Sequence, residues 1–159
     1  MANLENNGSG NEEIQVVAFK LRREEYGISI LNVQEIKRLT DITRVPFTPD
    51  FIKGVMNLRG SVLPVIDLKK RLGLQEVPYT DNTRIVIVKV DDISIGMIVD
   101  AVTEVLTITE DHIDTTKAVS DGNERSESNK FISGIGNLDN RLVIMLNLNE
   151  IIGLNGEAK

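Results

Sequence analysis

The sequence predicts a mainly β protein made of two similar small β units of about five strands each, with short helical turns between strands. Two observations carry this. The chain repeats itself internally, and its apolar residues fall in short Val- and Ile-rich runs bounded by charge. Displacing the chain by 69 residues lays Val17, Lys20, Gly27, Val33 and Glu35 on Val86, Lys89, Gly96, Val102 and Glu104 without a gap. Displacing it by 80 lays Phe51, Ile52, Gly54, Asn57, Leu58, Leu68, Gly73 and Leu74 on Phe131, Ile132, Gly134, Asn137, Leu138, Leu148, Gly153 and Leu154. The order is the same in both halves, and the offset rises from 69 to 80. The second copy therefore carries 11 extra residues, in or near 115–130 (TTKAVSDGNERSESNK), a polar stretch read as a surface loop. The period is too long for a solenoid unit, and five strands suit a partly closed barrel. Units this small are marginal alone, so they are expected to share a third apolar contact.

The elements follow in order. Residues 1–13, rich in Asn, Gly and Glu, have little to bury and are expected to be a disordered tail; the domain spans 14–155, with units of about 14–80 and 81–155 whose boundary strands could be exchanged. Ile14–Leu21 and Ile85–Val90 read as strands, and Tyr26–Ile30 and Ile95–Val99 return after charged turns to give two hairpins. Thr48-Pro49-Asp50 has the signature of a helix start and predicts a short helix ending by Gly54. Ser61–Ile66 is another strand. Asp67 is placed to cap a short helix over Leu68–Leu72, which Gly73 terminates.

Composition excludes much chemistry. The chain has no Cys and one His, which removes disulfides, thiolate sites and any site needing two imidazoles. A net charge of −6 argues against a nucleic-acid footprint. No apolar run is long enough to span a membrane, and MANLENNGSGNEE lacks a signal-peptide pattern, so a cytoplasmic location is expected. His112 lies among acids in TEDHID and reads as solvated; Asp91-Asp92 sits at a hairpin turn, where Asp suits the geometry. The glycines of GIGNLDN fit no phosphate loop. No catalytic, cofactor or metal constellation emerges.

Repetition also sorts residues, because a feature in both copies serves the fold while a feature in one copy escapes that explanation. Gly27 with Gly96, and Gly54 with Gly134, fall to the fold, through close backbone approach or positive φ. Glu35 recurs as Glu104. Arg59, in FIKGVMNLRGSVLPVIDL, does not recur, since Asp139 takes its place. The repeat leaves Arg59 open, as a turn arginine or as one of the interface arginines whose truncation is costly.

The stretches YGISILNVQEI, ITRVPFTPDFIKGVMNLRGSVLPVIDLKKRLGL, IGMIVDAVTEVL and FISGIGNLDNRLVIMLNL together resemble the CheW-like chemotaxis coupling family, from about Ile14 to Leu154. The resemblance implies two small SH3-like β-barrels packed together. It also implies a non-catalytic adaptor joining the cytoplasmic tips of methyl-accepting chemoreceptors to the regulatory domain of the histidine kinase CheA. Such a protein, a monomer alone, would be recruited into membrane-associated receptor arrays without nucleic acid, cofactor or direct membrane insertion. Carried over by motif, the receptor-side residues are Val33, Glu35, Gly54 and Arg59. The resemblance puts the receptor tip in a groove between the barrels and kinase contacts on barrel ends. The family commonly has Asp in its last LLDL element, where this chain has Asn147.

One acid and one base in the two receptor-side motifs lead to the expectation that Glu35 and Arg59 pair. Glu104 would meet Asp139 instead, and no such pair is expected there. Two competing readings are an adaptor of another chemosensory-type pathway, such as one controlling surface motility, and a small-molecule-binding β-barrel protein.

Overall fold

The computed structural model describes residues 12–115 and 130–153. Its strands are β1 (Glu13–Leu21), β2 (Glu24–Ser29), β3 (Val33–Arg38), β4 (Ile52–Leu58), β5 (Ser61–Asp67), β6 (Arg84–Val90), β7 (Ile93–Val99), β8 (Ala101–Thr109), β9 (Ile113–Asp114), β10 (Ile132–Leu138) and β11 (Arg141–Leu146). Helix α1 (Leu68–Arg71) follows β5 and α2 (Leu148–Ile152) follows β11. Of the expected N-terminal tail, residues 1–11 lie outside the described residues, as do 116–129 of the inserted loop.

The mainly β class read from the sequence holds. Six strands form one sheet in the order β8-β1-β2-β11-β10-β9, and five form another in the order β3-β6-β7-β5-β4. Replacing each strand by its repeat partner turns one order into the other, with Thr43, bridged to Val55, standing where β9 stands. The parallel contacts match as well, Val65 opposite Gly96 and Met145 opposite Gly27. Each sheet mixes the repeats: hairpin β1–β2 joins β8 to β11, and hairpin β6–β7 joins β3 to β5. The outermost strands of the six-stranded sheet, β8 and β9, are consecutive in the chain, linked by one 3-10 turn at Glu110–His112, so the sheet curls back on itself.

Apolar residues sort onto these sheets by strand alternation. In β6, Ile85 and Ile87 face one cluster with Met56, Leu63, Val65 and Ile98, while Val86 and Val88 face another. Both faces are covered over Ile85–Val88, which is why IVIV reads as an unbroken apolar run. The cluster between the sheets is the largest, with 17 buried residues from both repeats, against 6 and 4 in the other two. That is the shared contact expected for units too small to stand alone.

Arg71 locks this contact. Its guanidinium lies 4.3 Å from the ring centre of Phe51 and 5.0 Å from that of Phe131, the equivalent residue of the other repeat. Nε donates to the Ile151 carbonyl at 2.9 Å and Nη2 to the Glu150 carbonyl at 3.1 Å, satisfying oxygens near the end of α2 that the helix leaves free. Ile151 occupies in the second repeat the position of Arg71 in the first. Equivalent positions meet here, so the approximate two-fold passes through this contact.

The helix expected from Thr48 is a correction. Only Ile52 N to Pro49 O, at 3.0 Å, closes a turn, and the chain then enters β4. The Thr48 hydroxyl reaches back to the Val45 carbonyl at 3.1 Å instead of capping forward. Pairing of β4 with β5 over Ile52–Leu58 overrides the local helix-start signal. Helix α1 forms as predicted, with Asp67 Oδ1 accepting from the Lys69 and Lys70 amides and Gly73 at φ +80 after its end.

Replacing Arg71 with Met should lower the unfolding free energy by roughly 2–4 kcal/mol, through lost ring contacts and orphaned carbonyls. Urea titration measures it. Arg71→Lys should recover less than half, because an ammonium cannot serve both carbonyls in one plane.

Candidate functional site

A β-bulge builds the site. Val33 stands opposite Val88 and Glu35 opposite Ile87, so Gln34 is the extra residue. Without it, Val33 and Glu35 would share a face. With it, Val33 packs against the shared core, and Glu35 turns to the side of Ile87, towards the β4–β5 hairpin.

That hairpin has a two-residue loop, Arg59-Gly60, with φ of +50 and +90. Positive φ at both loop positions gives a turn whose twist matches that of the strands, and glycine supplies the second without strain. Arginine at the first is uncommon. Its side chain forks onto Glu35: Nη2 donates to Oε1 at 2.6 Å and Nη1 lies 3.4 Å from Oε2. Lys37 Nζ reaches the same Oε2 at 3.7 Å. The Arg59 hydrogen bond holds the Glu35 carboxyl below its ordinary value, opposed by partial desolvation and aided by charge from Arg59 and Lys37. The expected Glu35–Arg59 pair is thus present.

In the second copy Asp139 also adopts positive φ, +54, so both repeats demand positive φ at the first loop position and differ in the charge displayed there. Asp tolerates this region better than Arg. The expectation that Glu104 would lack a basic partner needs correction. Arg141, two residues beyond Asp139, donates through Nε and Nη2 to Glu25 at 2.8 and 2.7 Å, and Nη2 lies 2.8 Å from Glu104 Oε2. Thr103 Oγ1 lies 2.8 Å from Glu25 Oε2. The Arg141 hydrogen bond lowers the Glu25 carboxyl against the opposing effect of burial. The criterion that singled out Arg59 could have found Arg141, since its first-copy counterpart is Ser61.

Gly54 is buried in mid-β4, and a Cβ there would stand 2.1 Å from the Thr43 carbonyl oxygen. It shapes the strand from within and offers little surface, so any contribution to a partner is indirect. Of the four residues singled out, the structure joins Glu35 with Arg59, while Val33 and Gly54 lie apart from the pair. His112 is exposed, its Nδ1 2.9 Å from Thr109 Oγ1, and Asp91 has the positive φ, +56, of a hairpin turn. Asn147 caps α2 through Oδ1, accepting from the Asn149 and Glu150 amides at 3.1 and 3.3 Å. A carboxylate is not needed for that task. Among the described residues no His, Asp and Glu cluster suits a metal ion, and no helix is long and apolar enough to cross a membrane.

Where the two repeats meet runs an apolar groove of about 410 Å³, walled by Phe51, Ile52, Pro64, Ile95 and Ile151 with Arg71 among them. Its wall strand β5 begins two residues after Arg59.

Residues 15–155 match the family model described as the CheW-like domain. The chain belongs to the CheW-like domain family. It is 38% identical over 138 residues to the chemotaxis protein CheW of Bacillus subtilis, covering 87% of this chain and 86% of the relative. To that of Klebsiella aerogenes it is 36% identical over 138 residues, covering 87% and 81%. It superposes on the crystal structure of the scaffolding protein CheW from Thermoanaerobacter tengcongensis with a TM-score of 0.82 and 36% identity, covering 92% and 97%. The fold shared with these chemotaxis scaffolding proteins therefore frames the pair and the groove.

Two outcomes test this geometry. Followed by carboxyl NMR, Glu35 should titrate below the ordinary glutamate range and return to it in Arg59→Gln. A carboxyl held low in the folded state adds stability above the unfolded value and loses it as pH falls through the folded one, so the Glu35 contribution fades only on acidification. Separately, Gly54→Ala should cost about 3 kcal/mol by clash and strain. Gly60→Ala, with nothing within 4 Å of its Cβ position, should cost about 1 kcal/mol by backbone strain alone. Chemical denaturation of both variants compares them.

Proposed function

We propose that this chain is a non-catalytic chemotaxis adaptor that couples the cytoplasmic tips of methyl-accepting chemoreceptors to the regulatory domain of the histidine kinase CheA. It works in the cytoplasm and is recruited to membrane-associated receptor arrays. The observation that carries this reading is the Glu35–Arg59 fork: a bulge aims the acid, a positive-φ turn holds the base, and both lie in the stretches on which the resemblance to the family rests. The receptor tip, a helical hairpin, lays apolar area in the groove between the repeats, while Glu35 and Arg59 set its register. Val33 supports the Glu35 strand from the core side, and Gly54 fixes the path of β4 beneath the turn.

An exposed ion pair adds little to stability, so its value lies in orientation. Arg59 held by Glu35 has already lost most of its rotamer freedom, which reduces the entropy lost on docking.

Receptor-tip binding to Glu35→Arg, Arg59→Glu and the charge-swapped double tests the pair. Each single should weaken binding at least tenfold and the double should recover part of it; a double no better than the worse single would remove the pairing from the mechanism. NMR titration with a receptor tip fragment and, separately, with the kinase regulatory domain tests the adaptor itself. Shifts on two separate surfaces are expected, and overlapping shifts would mean competition in place of bridging.

A further inference from the structure

Phe47 is fully exposed, at 103% of its reference area, and its φ is +64. Either feature alone is unfavourable for a phenylalanine: the ring is left in water, and a bulky side chain sits where few L-residues go. Among the described residues no ring contact or side-chain hydrogen bond offsets them. The segment around it is nevertheless well tied. Thr43 is bridged to Val55 on one side, Ile52 N bonds Pro49 O on the other, and the Thr48 hydroxyl closes the loop onto the Val45 carbonyl. Pro46 and Pro49 stiffen it further. The ring is therefore presented on a rigid loop, with half-exposed Val45 beside it.

The charge around the ring is basic in a chain that is acidic overall. A shallow pocket beside Phe47 is lined by Arg44, Lys53 and Lys70 together with Asp50 and Glu76. Lys70 bridges both acids, at 3.6 and 2.8 Å, and three bases against two acids leave one positive charge in excess on the side of Arg44 and Lys53. The loop enters β4 at Ile52, whereas Arg59 follows its other end at Leu58. Seven strand residues separate them by roughly 20 Å.

We propose that the 44–50 loop is a preformed docking knob, with Phe47 as anchor, for a folded protein domain whose surface offers an apolar pocket rimmed by carboxylates. Resting on the adaptor reading, the occupant is the kinase regulatory domain. A helical hairpin presents ridges that suit a groove, while a projecting ring on a rigid loop needs a pocket, which a globular domain supplies. Arg44 and Lys53 complement the acidic rim and steer the encounter.

Phe47→Gly is the discriminating variant, because it relieves the positive φ. A structural role predicts loss of stability, and the docking role predicts stability equal to or above the parent with binding lost. Calorimetric titration with the kinase regulatory domain should show at least a tenfold weaker affinity for Phe47→Gly. Arg44→Gln/Lys53→Gln should flatten the salt dependence of binding, and receptor-tip affinity should not change in either variant. An unchanged kinase affinity in Phe47→Gly overturns the proposal, as does a loss confined to the receptor tip. Concentration-dependent dimerisation of the parent that Phe47→Gly abolishes would instead assign the knob to a second copy and likewise overturn it. A parent chain that binds neither partner sinks the adaptor reading, whereas a parent that binds both with no role for Phe47 sinks only this inference.

Discussion

Everything in this fold depends on one apolar layer that neither repeat could provide alone. The clusters enclosed by each sheet are small, and the layer between the sheets is much larger, drawing on β1, β2, β6 and β7 together with both helices. Small units bury too little of their own surface to offset chain entropy, so packing the units together is a condition of folding. Exchange of the first hairpins strengthens that condition, because each sheet takes strands from both repeats and cannot be completed by one. Arg71 marks where the packing is registered. Its planar cation rests near two equivalent phenylalanines and satisfies two carbonyls of the opposite helix, a combination few other side chains could reproduce.

A duplicated backbone with divergent side chains separates fold from function. Gly27 and Gly96 each leave no room for a Cβ against a neighbouring strand, and Gly54 and Gly134 do the same beneath the segment that follows β3 or β8. These are constraints both copies obey. The hairpin turns at Arg59 and Asp139 obey a common constraint too, since both have positive φ. The fold asks only for a residue that accepts that conformation. Aspartate accepts it readily, while arginine accepts it at some cost and gains Glu35 as partner.

Much of this was legible in the sequence because strand alternation and repetition are local or periodic signals. The hairpins, the cap at Asp67 and the crowded glycines followed from residue type and position, and the Glu35–Arg59 pair from the family resemblance. The segment after Thr48 was misread because its helix-start signature is short-range, whereas β4 is stabilised by partners far along the chain. The bulge at Gln34 was not legible at all: nothing in NVQEI announces the extra residue that sends Val33 and Glu35 to opposite faces. Nor was the partner of Glu104, since strict repeat arithmetic pointed to Asp139 while the structure uses Arg141, two residues on, together with Glu25 from another strand.

The asymmetry has a consequence for recognition. A perfect two-fold repeat would present the same charged cluster twice, and one partner would fit both. Here the cluster on β3 joins one acid to two bases, Glu35 with Arg59 and Lys37. The cluster on β2, β8 and β11 joins two acids to one base, Glu25 and Glu104 with Arg141. The same scaffold position thus carries opposite local charge in the two halves. A partner surface suited to one meets like charge at the other, and such juxtaposition is among the most effective ways of excluding a wrong docking. For the proposed bridging role this matters more than affinity, because a bridge fails if either partner can occupy both ends.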